Sequence, residues 1–196
     1  QADNASIQDV DDTSALVIEA RQEDVGNSAF TSARMRSVNK FDFQYGRVEI
    51  RSKAAPGDGM WSAVWMMPTN STYGTWAAGG EIDIMEYVGE PDWTSVAVHG
   101  PGYSGETPVV NKKYYLQPDT ATRWHIYSLD WTPDSLIFKI DGELVYRVTR
   151  PSIEFLTLSL RELIVRAKLL PTGFAIVGDL LCSLPYLSEQ DGLSRQ

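Results

Sequence analysis

The chain has 196 residues, which predicts one domain, and 43% of them are hydrophobic, enough for a buried core. The formal net charge of −9 at pH 7 argues against nucleic acid and anionic lipid as partners, because an acidic surface repels phosphates. A neutral ligand remains compatible with this charge. No apolar run approaches the roughly 18 residues that a membrane-spanning helix requires, so we expect no membrane association.

The chain up to residue 150 has the pattern of an antiparallel β-protein. A polar segment at 1–14 predicts a frayed lead-in, and apolar and polar residues then alternate with a period of two. The dipeptide Asp141-Gly142 tolerates positive φ and predicts a hairpin turn. Short strands at regular intervals are typical of a sandwich or a barrel. The predicted strands cover residues 14–21, 30–38, 45–54, 56–68, 92–100, 123–131 and 135–148.

Residues 151–196 break this pattern. Some of their apolar residues fall at helix-like spacing and the rest show no alternation, so we expect a helical or irregular tail. One interpretation is a helical segment that covers the sheet. The other is an altered reading of the gene, such as a frameshift or a retained intron, which would give an incomplete, inactive or poorly folded product. The residues at helix-like spacing are Ile153, Leu156, Leu160, Leu163 and Ile164.

The sequence says little about the compartment in which the protein works. Cys182 is the single cysteine, so no intrachain disulfide can form. The first residues show no signal peptide, so either it was removed or the chain begins late. Asn4 and Asn70 both fit the glycosylation acceptor pattern, which gives weak support for secretion.

Three carboxylates lie close together in the segment GGEIDIMEYVGE, at Glu81, Asp83 and Glu86. On a regular strand Glu86 would face away from the other two and lie beside isoleucines, where an unpaired carboxylate costs several kcal/mol. A β-bulge at Ile84-Met85 would absorb one residue and return Glu86 to the face of Glu81 and Asp83. The odd spacing therefore predicts a bulged strand that gathers three acids.

Such a cluster suggests acid–base chemistry on a glycosidic bond. A separation of about 5–5.5 Å between the carboxyl groups of Glu81 and Glu86 would fit a retaining glycoside hydrolase. Asp83, between them, would hold the nucleophile by sharing a proton, and crowding should raise at least one pKa. Two other interpretations remain open at this point, an exposed acidic strand face and part of a Ca²⁺ site.

Several separated blocks of the sequence resemble glycoside hydrolase family 16, in its laminarinase-like branch. The signature block is GEIDIME at 80–86, and the likeness extends over roughly residues 14–150. The family has strand sequence before ALVIEA and after Pro151 that this chain does not match. The other blocks are TSARMRSVNKFDFQYGRVEIRSKAAPGDGMWSAVWMMP (31–68), YGTWAAGGEIDIMEYVG (73–89), VAVHGPGYSG (96–105) and RWHIYSLDWTPDSLIFKIDGELVYR (123–147).

The resemblance implies a concanavalin A-like β-jelly-roll sandwich, here incomplete, with a catalytic domain over 1–150 and a divergent tail over 151–196. It implies hydrolysis of β-1,3- or mixed β-1,3/1,4-glucans with retention by a secreted monomer that uses neither cofactor nor metal. Glu81 is then the nucleophile, Glu86 the acid/base and Asp83 the supporting acid.

The resemblance also implies substrate-binding residues, with Trp76 the best candidate for sugar stacking. The alternative for His99 is a structural strand histidine whose ring nitrogens are hydrogen-bonded. The alternative for Arg51 is a solvated salt bridge. The implied binding residues are Trp61, Trp65, Trp76, His99 and Arg51, whereas Trp124 and Trp131 are assigned to the core and His125 to an ordinary strand. A non-catalytic glucan-binding protein is the competing function, but the intact acids argue against it.

Overall fold

The computed structural model describes residues 1–70, 72–89, 92–105, 110–115, 122–149, 160–168 and 173–183. Within these ranges the chain forms a short 3₁₀ helix, Ala2–Asn4, and fourteen strands, and none of its helices could cross a membrane. Strands β1 to β14 are Ala5–Val10, Thr13–Val25, Ser28–Thr31, Arg34–Arg36, Gly46–Lys53, Trp61–Pro68, Glu81–Tyr87, Trp93–His99, Val110–Tyr115, His125–Trp131, Ser135–Ile140, Glu143–Thr149, Leu160–Lys168 and Gly173–Ser183.

The described strands form two antiparallel sheets. The eight-stranded sheet has the order β1-β2-β14-β5-β10-β11-β12, with β3 paired to β2. The six-stranded sheet has the order β4-β13-β6-β7-β8-β9. One apolar cluster fills the space between the sheets, since each contributes alternate side chains to it. The predicted all-β jelly-roll sandwich is therefore confirmed.

Alternation along β5 shows how the sequence builds this core. Val48 and Ile50 are fully buried between the sheets, as predicted, while the residues between them face outward. On that outward face Arg47 pairs with Glu49 at 2.7 Å and with Asp130 of β10 at 2.9 Å. A strand with one apolar and one charged face has a single favourable orientation on the core.

The predicted hairpin between β11 and β12 is confirmed. Asp141 and Gly142 have φ angles of 51° and 87°, the positive values that a tight turn demands. Asp141 also ties the turn to β10, because its Oδ1 accepts the backbone N–H of Ile126 at 2.9 Å. Its Oδ2 lies 2.5 Å from Nδ1 of His125, so His125 has the structural role that the sequence predicted.

Two predictions near the N-terminus were wrong. Residues 1–14 are not frayed, because β1 pairs with β2 over its whole length. Asn4 is buried and donates from Nδ2 to the carbonyl of Glu19 at 2.9 Å and to Thr31 Oγ1 at 3.0 Å. The segment 30–38 is not one strand, since β3 and β4 belong to different sheets and the chain crosses between them.

The tail also differs from the helical or irregular segment that was expected. β14 lies between β2 and β5, and β13 lies between β4 and β6. Each of these strands satisfies the backbone groups of two neighbours that would otherwise be open edges, so pairing overrides the helix-like spacing. Leu160, Leu163 and Ile164 belong to β13, whereas Ile153 and Leu156 lie outside the described residues.

Candidate active site

Strand β7 carries the predicted bulge. Against β6, Val64 pairs with Met85 and Trp65 pairs with Asp83, so Ile84 is an additional residue on β7. The same shift occurs against β8, between the pairs formed by Asp83 and Glu86. Parity along β7 therefore changes at Ile84-Met85, where the sequence predicted it.

The bulge sorts the side chains of β7 onto two faces. The three acids are separated from the core, and the apolar residues before, within and after the bulge enter it. Asp83 is 2% exposed, while Glu81 and Glu86 are half-buried. The apolar residues of β7 in the core are Ile82, Ile84, Met85 and Tyr87.

Each glutamate accepts a hydrogen bond from a tryptophan. The indole N–H of Trp61 donates to Glu86 Oε1 at 3.1 Å, and that of Trp76 donates to Glu81 Oε2. Trp61 and Trp76 are 38% and 53% exposed, so both rings border the acids and remain open to a ligand. Two predicted binding residues thus lie beside the two predicted catalytic glutamates.

His99 joins the acid cluster from β8. It pairs directly with Glu81 across the sheet, and its Nε2 lies 3.1 Å from Oδ2 of Asp83. Its ring centroid is 6.0 Å from that of Trp76. Ligand atoms of Glu81, Asp83 and His99 all lie within 4.8 Å of one another, close enough to hold a cation or to share protons.

The acids perturb one another because they are crowded and partly removed from water. Burial raises the pKa of Glu81 to about 8, together with the charge of Asp83 and the hydrogen bond that protonated Glu81 donates to the Asp83 carboxylate. Burial and the charge of Glu86 raise the pKa of Asp83 well above its ordinary value. Burial also raises the pKa of Glu86, which the Trp61 bond opposes. The cluster therefore retains at least one proton at neutral pH.

The floor beside the acids is built from small or flat side chains. Ala63, Ser95 and Ala97 are nearly fully buried and lie next to Glu86 or Asp83 in the sheet. Trp65 is 8% exposed and packs with Ala63, so it forms part of this floor. The acids consequently stand among these side chains on the outer face of the six-stranded sheet, a face termed the cleft.

Arg34 is a cleft residue that the sequence analysis missed. It lies on the short strand β4, and its guanidinium carbon is 4.5 Å from the ring centroid of Trp65. β4 and β6 are near each other because β13 pairs with both of them in the same sheet. The sequence signal for Arg34 was weak. The residue lies inside a block that resembles the family, but it is not part of a recognisable catalytic or binding motif.

Arg51 is not brought to the acids. It lies on the outward face of β5, on the opposite side of the sandwich, with its guanidinium carbon 4.1 Å from the ring of Trp124. Trp124 is not core either, because it is half-buried on that outer face and donates to Asp11 Oδ2 at 3.0 Å. Trp131 is 2% exposed and does belong to the core, as predicted.

A β-sandwich whose cleft holds paired carboxylates among tryptophans has the architecture of glycoside hydrolases. The chain belongs to the family described as glycosyl hydrolases family 16, whose profile it matches over residues 2–158. That match begins before and ends after the 14–150 range inferred from the sequence blocks.

Individual relatives agree with this family. The chain is 39% identical over 135 residues to a beta-glucanase of Rhodothermus marinus, covering 67% of this chain and 47% of the relative. It is 38% identical over 127 residues to a beta-1,3-glucan-binding protein of Penaeus monodon, covering 58% of this chain and 34% of the relative. The chain thus spans half or less of the length of these relatives.

A solved structure matches over most of the fold. It is the catalytic domain of an endo-1,3-beta-glucanase (laminarinase) from Thermotoga petrophila RKU-1, with a TM-score of 0.82 and 30% identity. The match covers 93% of this chain and 80% of that domain.

Proposed function

We propose that the chain is a retaining endo-β-glucanase that hydrolyses β-1,3- or mixed β-1,3/1,4-glucans. The observation that carries this proposal is the bulge at Ile84-Met85, which puts Glu81 and Glu86 on one half-buried face. The similarity to a beta-glucanase and to a laminarinase domain supports the substrate class. In this proposal the protein acts as a secreted monomer, which size-exclusion chromatography of the culture medium would test.

Glu81 is the nucleophile in the proposed mechanism. Its carboxylate attacks the anomeric carbon and forms a covalent glycosyl–enzyme, which water later hydrolyses. Glu81 and Asp83 hold one proton between them, and it passes from Glu81 to Asp83 when Glu81 attacks, since the Asp83 carboxyl is only 2% exposed and burial favours its neutral form. Glu81, half-buried and bonded to the Trp76 indole, is then the ionised partner.

Glu86 is the acid/base. It first gives its proton to the leaving glycosidic oxygen and then removes a proton from the attacking water. Burial and the charge of Glu81 raise its pKa, so it keeps a proton where an exposed glutamate would have lost it. His99 Nε2 lies 3.1 Å from Oδ2 of Asp83, so the imidazole helps to position the carboxyl group that supports the nucleophile.

Tryptophan rings bind the sugar in this proposal. The faces of Trp61 and Trp76 are partly open and their N–H groups are fixed on the two glutamates, so a stacked sugar ring lies beside both carboxyl groups. Trp65 supports the adjacent floor.

Reducing-sugar release from laminarin tests the proposal. The wild-type chain should release reducing ends, and Glu81→Gln and Glu86→Gln should each abolish turnover while they still bind laminarin. Glu49→Gln is a matched control, because Glu49 is a half-buried carboxylate on the opposite side of the sandwich. Undiminished turnover in either cleft variant would refute the assignment.

A non-catalytic glucan-binding protein is the second candidate, favoured by the similarity to the Penaeus monodon protein. The two functions share the cleft but differ in chemistry. Retention of the wild-type chain on immobilised β-1,3-glucan without any release of reducing ends would favour binding alone.

A further inference from the structure

Lys113 lies on the cleft face of strand β9, the edge of the six-stranded sheet. It pairs with Ser95 of β8, and Ser95 pairs with Glu86 of β7, so the three residues form one row. Residues that pair directly across strands point to the same face, so Lys113 shares the face of the acids. Two strand spacings separate its Cα from that of Glu86, about 10 Å.

An aromatic ring holds the ammonium group of Lys113 in place. Its Nζ lies 3.8 Å from the ring centroid of Trp93, which is two residues before Ser95 and faces the same way. Tyr115 pairs with Trp93 across the strands and is 67% exposed. Contact with the ring orients a cation without neutralising it.

No carboxylate pairs with Lys113 within the part of the chain that the structure describes, where its ammonium group contacts the Trp93 ring. Ser95, between Lys113 and Glu86, is small and 6% exposed, so the floor of the cleft continues from the acids to the lysine.

We propose that Lys113, Trp93 and Tyr115 form a distal subsite that binds an anionic substituent, a carboxylate or a sulfate ester, on a sugar remote from the cleaved linkage. The three acids repel an anion at the centre of the cleft, whereas Lys113 attracts one at the edge. This inference rests on the proposed function, because the substituted sugar belongs to the same glycan that Glu81 and Glu86 cleave.

Binding to the Glu81→Gln chain tests the subsite without turnover. Titration calorimetry at low ionic strength would compare laminarin with carboxymethylated and with sulfated β-1,3-glucan. Lys112→Met is the matched control for Lys113→Met, because Lys112 is exposed but pairs with the core residue Val96 and so points to the other face. Both variants lose one charge from the same strand.

We expect Lys113→Met to lower the ratio of anionic to neutral affinity by about two- to fivefold, the range of an exposed ion pair. Lys112→Met should leave the ratio unchanged. The arm that responds, carboxymethyl or sulfate, identifies the substituent. Equal ratios in the two variants for both anionic glucans would overturn the subsite. If the ratios are equal but the chain with Glu81 intact hydrolyses laminarin, only the subsite is refuted. If the chain neither binds nor hydrolyses laminarin, the proposed function itself is refuted.

Discussion

The indole N–H of Trp61 donates a hydrogen bond of 3.1 Å to Oε1 of Glu86 from the neighbouring strand. Burial raises the pKa of Glu86, this bond lowers it, and the charge of Glu81 raises it again. The bond acts on the charged form of the carboxyl, so it influences the pH at which the acid loses its proton.

Trp61→Phe should therefore move the basic limb of the pH–activity profile upward. The variant keeps a ring in place but removes the donor that lowers the pKa of Glu86, so this pKa rises. Activity that requires protonated Glu86 is lost as the pH rises through this pKa, so the loss occurs at higher pH. The profile of kcat/KM on laminarin measures it, and an unmoved basic limb would contradict the role of Trp61.

Trp76→Phe makes the opposite test at the other glutamate. Trp76 donates to Glu81, which must be ionised to attack in the proposed mechanism, and removal of the donor raises the pKa of Glu81. Activity is lost as the pH falls through that pKa, so here the acidic limb should move upward and the active range should narrow. Equal displacement of both limbs in each variant would mean that the two tryptophans do not act on separate glutamates.

The roles of the two glutamates can be separated with azide. In Glu81→Ala, azide replaces the nucleophile and should give an α-glycosyl azide by one inversion. In Glu86→Ala, the covalent intermediate still forms on an activated glucoside, and azide should give the β-glycosyl azide. Each variant should lose at least about 10²-fold in rate without azide. NMR of the products decides the assignment, and exchanged anomers would reverse it.

The acid cluster should make the fold less stable as the pH rises. The folded-state pKa of Glu81 is about 8 against an ordinary 4.5, so the folded chain binds the extra proton and loses stability as the pH increases between these values. Asp83→Asn removes the neighbouring charge and should flatten the decline of Tm over this range. Asp134→Asn, an exposed carboxylate in a turn, is the control and should leave the slope unchanged.

The two arginines should differ in their effects on substrate. Arg34 is exposed above Trp65 in the cleft, and Arg34→Ala should raise KM for laminarin about tenfold through the loss of a charged hydrogen-bond donor. Arg51→Ala should leave KM and kcat unchanged, because Arg51 contacts Trp124 on the opposite side of the sandwich. If KM rose in Arg51→Ala but not in Arg34→Ala, the sequence prediction that Arg51 binds substrate would be correct.

A chain that ends at Thr149 should lose its cooperative thermal transition. It lacks β13 and β14, which pair on both sides within the two sheets, so four strands gain open edges. A chain that ends at Ser183 keeps both strands and should melt cooperatively. Circular dichroism compares the two, and a cooperative melt of the shorter chain would mean that these strands do not hold the sheets together.

The local features of this protein could be predicted from its sequence because they depend on neighbouring residues. The buried face of β5, the turn at Asp141-Gly142 and the bulge between Asp83 and Glu86 all follow from the two-residue period of a strand. Few backbone conformations keep a charged residue that breaks this period out of the core, and a bulge is one of them. The bulge and the shared face of the acids were therefore predicted correctly.

Features that depend on partners distant in sequence could not be predicted in this way. The alternation in β5 places Arg51 opposite the core, but only the order of the two sheets shows that this is also opposite the acids. Residues 160–168 have helix-like spacing and still form β13, because two unpaired neighbours outweigh a local preference. The sequence thus determined which groups are available for the proposed chemistry, and the tertiary structure decided which of them meet, since the assembly of the sheet sets the distances between strands.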